Sequence, residues 1–143
     1  MNSLEIKKSQ LTNAGKGLFT KKDIKKGMKV AEYKGEKITW KEAKKRAQYN
    51  KDGYVFFISN KLCIDAYRAV RNYGRYANDA KGLSRIKGLK NNSVYNIEKD
   101  KVFIVATKNI PAGSEIFVDY GAEYWEAVYY NLKIEFENKR KKK

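Results

Sequence analysis

Residues 115–121 read Glu-Ile-Phe-Val-Asp-Tyr-Gly and follow the turn Pro-Ala-Gly-Ser at 111–114, and this stretch is the most informative feature of the chain. Its apolar run predicts a short strand with Tyr120 at its end, directly before a glycine that accommodates a tight or left-handed backbone. A buried tyrosine in such a place can direct its hydroxyl into a pocket. The block is a weak signal alone, and its weight comes from two upstream blocks, residues 15–35 and 72–80.

The length of 143 residues predicts one domain that is large enough for a real core. No apolar run approaches the roughly 18 residues of a membrane span, and the N-terminus lacks a signal-peptide pattern. The single cysteine, Cys63, cannot form an internal disulfide, and its apolar neighbours predict a buried thiol rather than a zinc ligand. We therefore expect an intracellular protein, cytoplasmic, nuclear or nucleoid-associated, that has no membrane partner.

The absence of histidine excludes several kinds of active site. Ser-His-Asp and Cys-His catalysis and histidine-ligated metal sites are all impossible, so we expect no metal. Chemistry must depend on Tyr, Asp, Glu, Lys, Asn or backbone groups. The eleven tyrosines make tyrosine the first candidate.

The formal net charge is +16, and the basic tail at 139–143 accounts for only five of these charges. One interpretation is a solvated, lysine-rich surface. The other is a protein that makes non-specific contact with nucleic acid or other anionic partners through its basic surface. Lysine outnumbers arginine and no recognition motif is evident, so base-specific reading is not expected.

Strand and turn signals dominate the chain and predict a mainly β protein with short helices. A capping box, Thr-Trp-Lys-Glu at 39–42, predicts a helix to about residue 49, and the apolar spacing of 122–138 predicts a second one. Residues 13–17 form a Gly-rich turn, and residues 72–92 form a long polar loop of the kind that is usually functional or mobile. The predicted strands are 4–8, 18–20, 28–33, 54–59, 62–66, 94–97, 102–107 and 115–118.

Three blocks taken together resemble the SET domain, the fold of S-adenosylmethionine-dependent protein-lysine methyltransferases. They are Gly-Lys-Gly-Leu-Phe at 15–19 with its continuation to residue 36, residues 63–80 ending in Asn-Tyr-Gly-Arg-Tyr-Ala-Asn-Asp-Ala, and residues 106–121. The resemblance implies several small curved sheets with a pseudoknot-like C-terminal segment. It further implies a SET domain at 1–126, which leaves a helical extension at 127–138 and a disordered basic tail at 139–143.

The resemblance implies a cofactor site in the first two blocks. Lys16, Gly17 and Leu18 would contact the amino-acid portion of S-adenosylmethionine, and the Lys16 ammonium could pair with its carboxylate. Asn78 would hydrogen-bond the cofactor through its side chain, and Asp79 would use its backbone towards the adenine. Glycines in the first block would let the backbone approach the ligand closely.

Several positions depart from the family pattern. Asp79 and Ala80 stand where the family usually has His and Ser, and Asn91 stands where a Pro is expected before Asn92. The cysteine-rich, zinc-binding segment that often follows the domain is missing. Trp125 could replace that segment by closing over the cofactor as an aromatic lid, although helix packing is nearly as good an explanation.

Tyr120 matches the catalytic tyrosine of the family, with Tyr33 as a second catalytic tyrosine. The lysine amine, with a normal pKa near about 10.4, must lose its proton and attack the methyl carbon in line. Deprotonation is favoured when the ammonium approaches a cationic sulfonium in a partly desolvated site. Tyr120 would therefore align the amine rather than act as a strong base.

The lysine channel would be aromatic, which suits the methylenes and the cationic head of the substrate. Its predicted lining residues are Tyr33, Phe56, Phe57 and Val118, and Tyr54 is a further pocket tyrosine that contacts the cofactor. Core packing is the alternative for all of these rings. Val118 stands where the family often has Phe or Tyr, so we expect room for more than one methyl group.

The function implied is methyl transfer from S-adenosylmethionine, giving S-adenosylhomocysteine, to lysine in a protein, possibly a histone or another DNA-associated basic protein. The alternative is a weak or inactive SET-like module that binds chromatin or nucleic acid. The substitutions at Asp79 and Ala80 keep that alternative open. The oligomeric state is also open, and a homodimer is possible.

Overall fold

The computed structural model describes residues 3–47, 54–81 and 86–121. These residues form small β-sheets, one α-helix and one short 3₁₀ helix, which confirms the predicted fold class. Trp125, the predicted helix at 122–138 and the basic tail lie outside the described residues. The elements are β1 (Leu4–Lys8), β2 (Lys16–Thr20), β3 (Lys29–Glu32), β4 (Glu36–Ile38), α1 (Trp40–Ala47), β5 (Val55–Ser59), β6 (Leu62–Asp65), the 3₁₀ helix (Tyr73–Tyr76), β7 (Ser93–Glu98), β8 (Lys101–Ala106), β9 (Glu115–Ile116) and β10 (Val118–Asp119).

The described strands form three sheets, in the orders β1-β2-β9, β10-β7-β8-β3 and β4-β6-β5. All pairings within them are antiparallel except that of β10 with β7, which is parallel. The hairpins β5–β6 and β7–β8 turn where the sequence predicts, at 60–61 and 99–100. Two elements were not predicted, β4 and the 3₁₀ helix, because each is short and mostly polar.

The main core lies where the first two sheets meet. Leu18, Ile104, Ile116 and Val118 are fully buried there, and each such side chain contributes roughly 1.5–3 kcal/mol of transfer free energy. A second core cluster lies under the third sheet. Tyr95 packs against both clusters and therefore joins them.

The segment 115–119 is two strands rather than the single predicted one. β9 pairs with β2 in the first sheet, and β10 pairs with β7 in the second, so the chain changes sheet at Phe117. The Asn92 side chain holds this crossing, because its Nδ2 donates to the Glu115 carbonyl (2.9 Å) and its Oδ1 accepts from the Phe117 N–H (3.0 Å). One amide side chain thus satisfies a backbone carbonyl and a backbone N–H on the two sides of the crossing.

The Gly-rich turn ends two residues earlier than predicted. Asn13 and Gly15 have left-handed φ values of 61° and 72°, whereas Lys16 and Gly17 already belong to β2. A Cβ at position 17 would overlap the carboxylate of Glu115. This carboxylate is 1% exposed and accepts hydrogen bonds from the Ser9 hydroxyl (2.6 Å) and the Gln10 N–H (2.8 Å). Packing against Glu115 is therefore a reason for glycine at position 17 that the sequence did not show.

Helix α1 begins as predicted but uses only half of the capping box. The Thr39 hydroxyl accepts from the Glu42 N–H (3.2 Å), which is the expected N-cap contact. The Glu42 carboxylate instead pairs with Arg46 one turn along the helix. Within the described residues, no helix is long and apolar enough to cross a membrane.

Candidate active site

Tyr120 follows β10 directly and is held at both its backbone and its hydroxyl. Its O–H donates to the Ala77 carbonyl (2.6 Å), and its N–H donates to the Asp79 carboxylate (2.9 Å). Both anchors come from one short segment more than 40 residues earlier in the chain. Gly121, with φ of 93°, then lets the chain leave the strand in a left-handed conformation.

Tyr33 directly follows β3 and is 6% exposed. Its hydroxyl also donates to a backbone carbonyl, that of Tyr54. A phenol that donates its own proton to a carbonyl presents its oxygen lone pairs to any further donor. Both predicted catalytic tyrosines are therefore suited to accept a hydrogen bond from a substrate amine.

These two tyrosines belong to a group of four contacting rings, which we call the aromatic cluster: Tyr33, Phe56, Tyr95 and Tyr120. Tyr95 is at its centre, with ring centroids 5.9 Å from Tyr33, 4.9 Å from Phe56 and 6.3 Å from Tyr120. Tyr33 and Phe56 are themselves 6.1 Å apart. The structure thus brings Tyr120, Tyr33 and Phe56 to one place, through a residue that the sequence analysis did not name.

The sequence missed Tyr95 because its position depends on a parallel pairing between distant strands. Val118 aligns with Ser93 and Asp119 with Val94, so Tyr120 continues beside Tyr95. The two rings stack with an interplanar angle of 21°. The only local signal was the alternation of side chains along β7, which does not specify the partner strand.

Phe57 does not join the aromatic cluster, so the structure does not bring it together with the other rings predicted for the lysine channel. Successive side chains of a strand point to opposite faces, so Phe56 and Phe57 cannot line the same wall. Phe57 is 49% exposed and packs on Trp40, with ring centroids 5.2 Å apart.

Tyr54 serves the site through its backbone carbonyl, which accepts the Tyr33 hydroxyl. Tyr54 packs against the same core cluster as Tyr33. Its ring contacts the guanidinium of Arg75 (4.1 Å to the centroid) and the ring of Tyr67 (6.4 Å between centroids). Arg75 also donates to the carbonyls of Ala66 and Tyr67. A cation–π contact of this kind helps to fix the position of the Tyr54 ring.

The two blocks predicted to bind the cofactor meet directly. Asn78 Nδ2 donates to the Lys16 carbonyl (3.0 Å), and the Asn78 carbonyl accepts from the Val118 N–H (2.8 Å). Leu18 and Val118 are both fully buried, and Leu18 is paired with Ile6 on one side and Ile116 on the other. Lys16, Asn78 and Tyr120 therefore lie along one continuous wall.

The donor set of this wall fits the amino-acid end of S-adenosylmethionine. The exposed Lys16 side chain carries a positive charge that can pair with a carboxylate. Because Asn78 donates through Nδ2, its amide oxygen Oδ1 can accept from a ligand ammonium. No group of three or more metal-ligating side chains occurs within residues 3–47, 54–81 and 86–121.

The Asp79 side chain is buried and does not face solvent as a loop residue usually would. It is 4% exposed, and its carboxylate accepts hydrogen bonds from Tyr120, Lys81 and Asn91. The structure thus uses the Asp79 side chain inside the protein. The predicted backbone contact with a ligand remains compatible with this arrangement.

A basic groove of about 690 Å³ opens on the other face of β7 and β10. Val94 and Asp119 line it, and these residues alternate with Tyr95 and Tyr120 along their strands. Its rim carries four exposed lysines, Lys81, Lys87, Lys90 and Lys108. The groove is separate from the aromatic cluster.

A sequence model described as the SET domain matches residues 15–121 of the chain. N-lysine methyltransferase KMT5A-A of Xenopus laevis is 31% identical over 125 residues, which are 81% of this chain and 36% of that protein. Histone-lysine N-methyltransferase EZH2 of Chaetomium thermophilum is 31% identical over 129 residues, 82% of this chain and 8% of that protein. The chain thus spans about a third or less of the length of these two relatives.

Solved structures with the same fold include Chaetomium thermophilum Polycomb Repressive Complex 2 in a humanized mutant form bound to the inhibitor GSK126. Its TM-score is 0.69 at 30% identity, over 84% of this chain and 15% of that chain. A second is ctPRC2 in an autoinhibited conformation bound to S-adenosylmethionine, with a TM-score of 0.67 at 30% identity over 83% of this chain and 15% of that chain.

Proposed function

The chain belongs to the SET domain family, and we propose on that basis that it transfers methyl groups from S-adenosylmethionine to the side-chain amine of lysine in a protein substrate. The observation that carries the proposal is the geometry of Tyr120. Its hydroxyl is bound to the Ala77 carbonyl beside the aromatic cluster, and Asn78, the next residue after Ala77, holds the Lys16 carbonyl.

When bound, S-adenosylmethionine supplies an electrophilic methyl group on a cationic sulfonium. The Tyr120 and Tyr33 oxygens accept N–H bonds from the lysine amine and so direct its lone pair. The rings of Phe56 and Tyr95 surround the lysine methylenes and stabilise the cationic head. Burial of the ammonium among these rings favours the neutral amine, which is the reactive form.

We assign the cofactor contacts as follows. Lys16 binds the carboxylate of the amino-acid end through its side chain, and Gly17 and Leu18 are assigned to the same end of the cofactor. Asn78 binds through its amide oxygen, and Asp79 through its backbone. Tyr54 and Trp125 are assigned to the same cofactor site, and residues 1–126 to the catalytic domain.

The proposed substrate is a basic, DNA-associated protein such as a histone. Two matched relatives carry the names N-lysine and histone-lysine methyltransferase, which supports this class of substrate. The net charge of +16 opposes the approach of a basic substrate. The carboxylate of Asp119 lies in the basic groove, 3.8 Å from the Lys81 ammonium, and so does not offset this repulsion at the aromatic cluster. Substrates of this class would place the protein inside the cell.

Transfer of a labelled methyl group tests the proposal. The protein is incubated with S-adenosylmethionine that carries a ¹³CD₃ methyl group and with a mixture of core histones, and the products are digested and sequenced by mass spectrometry. We expect the label on lysine Nζ atoms, with S-adenosylhomocysteine as the second product. If calorimetry shows that the cofactor binds but no lysine carries the label, the result would contradict transfer and favour the inactive binding module.

A second candidate activity, non-specific nucleic-acid contact, is favoured by the basic groove. Four lysines around one concave surface present a positive field to a phosphate backbone. The double variant Lys87→Ala/Lys90→Ala should weaken binding to a DNA duplex and lower the slope of log affinity against log salt by about 1–2. The matched control is Lys21→Ala/Lys22→Ala, because both lysines are exposed and lie outside the groove. An equal loss of DNA affinity in both double variants, or binding that is insensitive to salt, would count against the groove.

A further inference from the structure

We propose that the buried carboxylate of Asp79, oriented by Asn91, is the positioning group that sets Tyr120 for methyl transfer. This inference rests on the proposed function and extends it to two residues that depart from the pattern of the family. Neither residue is placed among the reacting atoms. Both act through Tyr120.

The Asp79 carboxylate joins three separate parts of the chain. Its Oδ2 accepts from the Tyr120 N–H (2.9 Å), and its Oδ1 accepts from the Lys81 N–H (2.8 Å) and from Asn91 Nδ2 (2.8 Å). The residue is 4% exposed. Hydrogen bonds to a buried ionised acceptor are about twice as strong as those between neutral groups, so this carboxylate is a firm anchor.

Asn91 fixes the orientation of that anchor. Its Oδ1 accepts from the Ala80 N–H (2.8 Å), which leaves Nδ2 as the atom that faces Asp79. A flipped amide would set a donor against the Ala80 N–H and an oxygen against the carboxylate, so only one orientation is favourable. Asn91 therefore accepts a hydrogen bond from the Ala80 backbone and holds the Asp79 carboxylate in one rotamer.

Tyr120 is held at two points, its hydroxyl and its backbone N–H. The Ala77 carbonyl holds its hydroxyl and Asp79 holds its N–H, so residues only two positions apart determine the hydroxyl and the main chain of the tyrosine together. If the Asp79 contact is lost, the Tyr120 backbone can move relative to the Ala77–Asn78 wall. A displacement of about 1 Å is enough to cost roughly 100-fold in an alignment-dependent transfer.

The contact between Asp79 and Asn91 therefore explains both departures from the family pattern together. Asp79 replaces the usual His and Asn91 replaces the usual Pro, and the two side chains contact each other directly. A proline at position 91 has no side-chain donor for a carboxylate, so Asp79 and Asn91 depend on each other. The substitution at position 79 then indicates a different support for Tyr120 rather than a lost activity.

The test compares Asp79→Asn with Asp100→Asn, the same change at an exposed turn. In Asp79→Asn one carboxylate oxygen becomes an NH₂ group that faces an N–H donor. We expect kcat to fall by about 10-fold or more while the calorimetric Kd for S-adenosylmethionine changes by less than about 3-fold. The Tyr120 amide should exchange its hydrogen at least about 10-fold faster in the variant. Asp100→Asn should leave all of these values unchanged.

Asn91→Ser provides a milder variant, which removes the orienting amide and keeps the Asp79 carboxylate. It should show the same pattern of effects with a smaller fall in kcat, about 3- to 10-fold. An unchanged kcat in both variants, or a fall that only matches the lost folded fraction, would overturn the positioning role while the transfer activity stands. If the wild type transfers no methyl group, the proposed function fails. Unchanged exchange of the Tyr120 amide in Asp79→Asn would then overturn the Asp79–Tyr120 contact as well. Faster exchange would support that contact alone.

Discussion

At the residue scale, Tyr120 could be found from the sequence but its environment could not. The resemblance identified the tyrosine before Gly121 from the local block at 115–121. Its two anchors, Ala77 and Asp79, lie 43 and 41 residues away. Spacing along the chain does not specify which backbone groups meet a side chain, and Tyr95 was missed for the same reason.

The size of the side chain at position 118 should influence how many methyl groups are added. Val118 is fully buried in the main core, in the cluster against which Tyr95 and Tyr120 pack. Val118→Phe should push those rings into the channel and shift the product towards monomethyl-lysine, at a stability cost of about 1–3 kcal/mol from overpacking. The masses of the products at saturation measure this shift.

Val118→Ala is the control for the channel, because a smaller side chain should leave the product distribution of the wild type intact. We expect wild-type protein to add more than one methyl group. A wild-type product that remains monomethyl at saturation would contradict the proposed role of Val118.

At the element scale, the hairpins were predictable and the sheet partners were not. β5–β6 and β7–β8 are joined by short turns, so their pairing is local and visible as alternation around turn residues. The pairings of β9 with β2 and of β10 with β7 join distant segments. The change of sheet at Phe117 has no local signal, since residues 115–118 are one continuous apolar run.

The crossing at Phe117 should depend on the Asn92 amide. Asn92→Ala leaves the Phe117 N–H, in a residue that is 3% exposed, without its acceptor and should lower the free energy of unfolding by about 2–3 kcal/mol. Asn96→Ala, an exposed position on the same strand β7, should change it by less than about 0.5 kcal/mol. Urea unfolding measures both, and similar values for the two variants would contradict the role of Asn92.

Helix α1 is tied to the third sheet by Arg46. Its guanidinium contacts the carboxylates of Glu36 (2.9 Å), Glu42 (3.1 Å) and Asp65 (2.7 Å), and the Asp65 side chain is only 3% exposed. Arg46→Met leaves the Asp65 carboxylate without its cation, so we expect a loss of about 2–3 kcal/mol in urea unfolding. Lys45→Met, an exposed neighbour, should have little effect; an equal loss would refute the tie.

The ion pair of Arg46 with Glu36 makes the stability of the folded protein depend on pH, with a definite sign. The hydrogen bond from Arg46 lowers the pKa of Glu36 below its ordinary value of 4.5. A lowered pKa in the folded state adds stability that is present above pH 4.5 and is lost as the pH falls through the folded value. Wild-type stability should therefore decline in acid more steeply than that of Arg46→Met, and parallel pH profiles would show that the pair does not contribute.

At the scale of the whole molecule, the buried thiol of Cys63 reports on global opening. Cys63 is 0% exposed, and burial raises the pKa of its thiol. Both effects suppress the reactive thiolate, so native protein at pH 8 should react with a thiol reagent at least about 100-fold more slowly than unfolded protein in urea. The absorbance of released thionitrobenzoate measures the rate, and fast stoichiometric labelling of native protein would show that the third sheet opens locally.

The composition limits the chemistry that the molecule can perform but does not show its arrangement. A chain without histidine and with eleven tyrosines leaves alignment and electrostatic positioning as the means of the proposed catalysis. The Tyr120 and Tyr33 hydroxyls each donate to a backbone carbonyl. The same composition could not show that Phe57 faces away from the cluster or that Gly17 packs on Glu115.

The most direct test of the account compares wild-type protein with Tyr120→Phe in the ¹³CD₃ transfer assay, with calorimetry of S-adenosylmethionine on both proteins. The variant keeps the ring stacked on Tyr95 and loses only the hydroxyl. The account predicts labelled lysine with the wild type, a fall of about 100-fold or more in kcat with Tyr120→Phe, and a Kd for the cofactor within about 3-fold of the wild-type value. Undiminished transfer by Tyr120→Phe would contradict the central claim that this hydroxyl aligns the substrate amine.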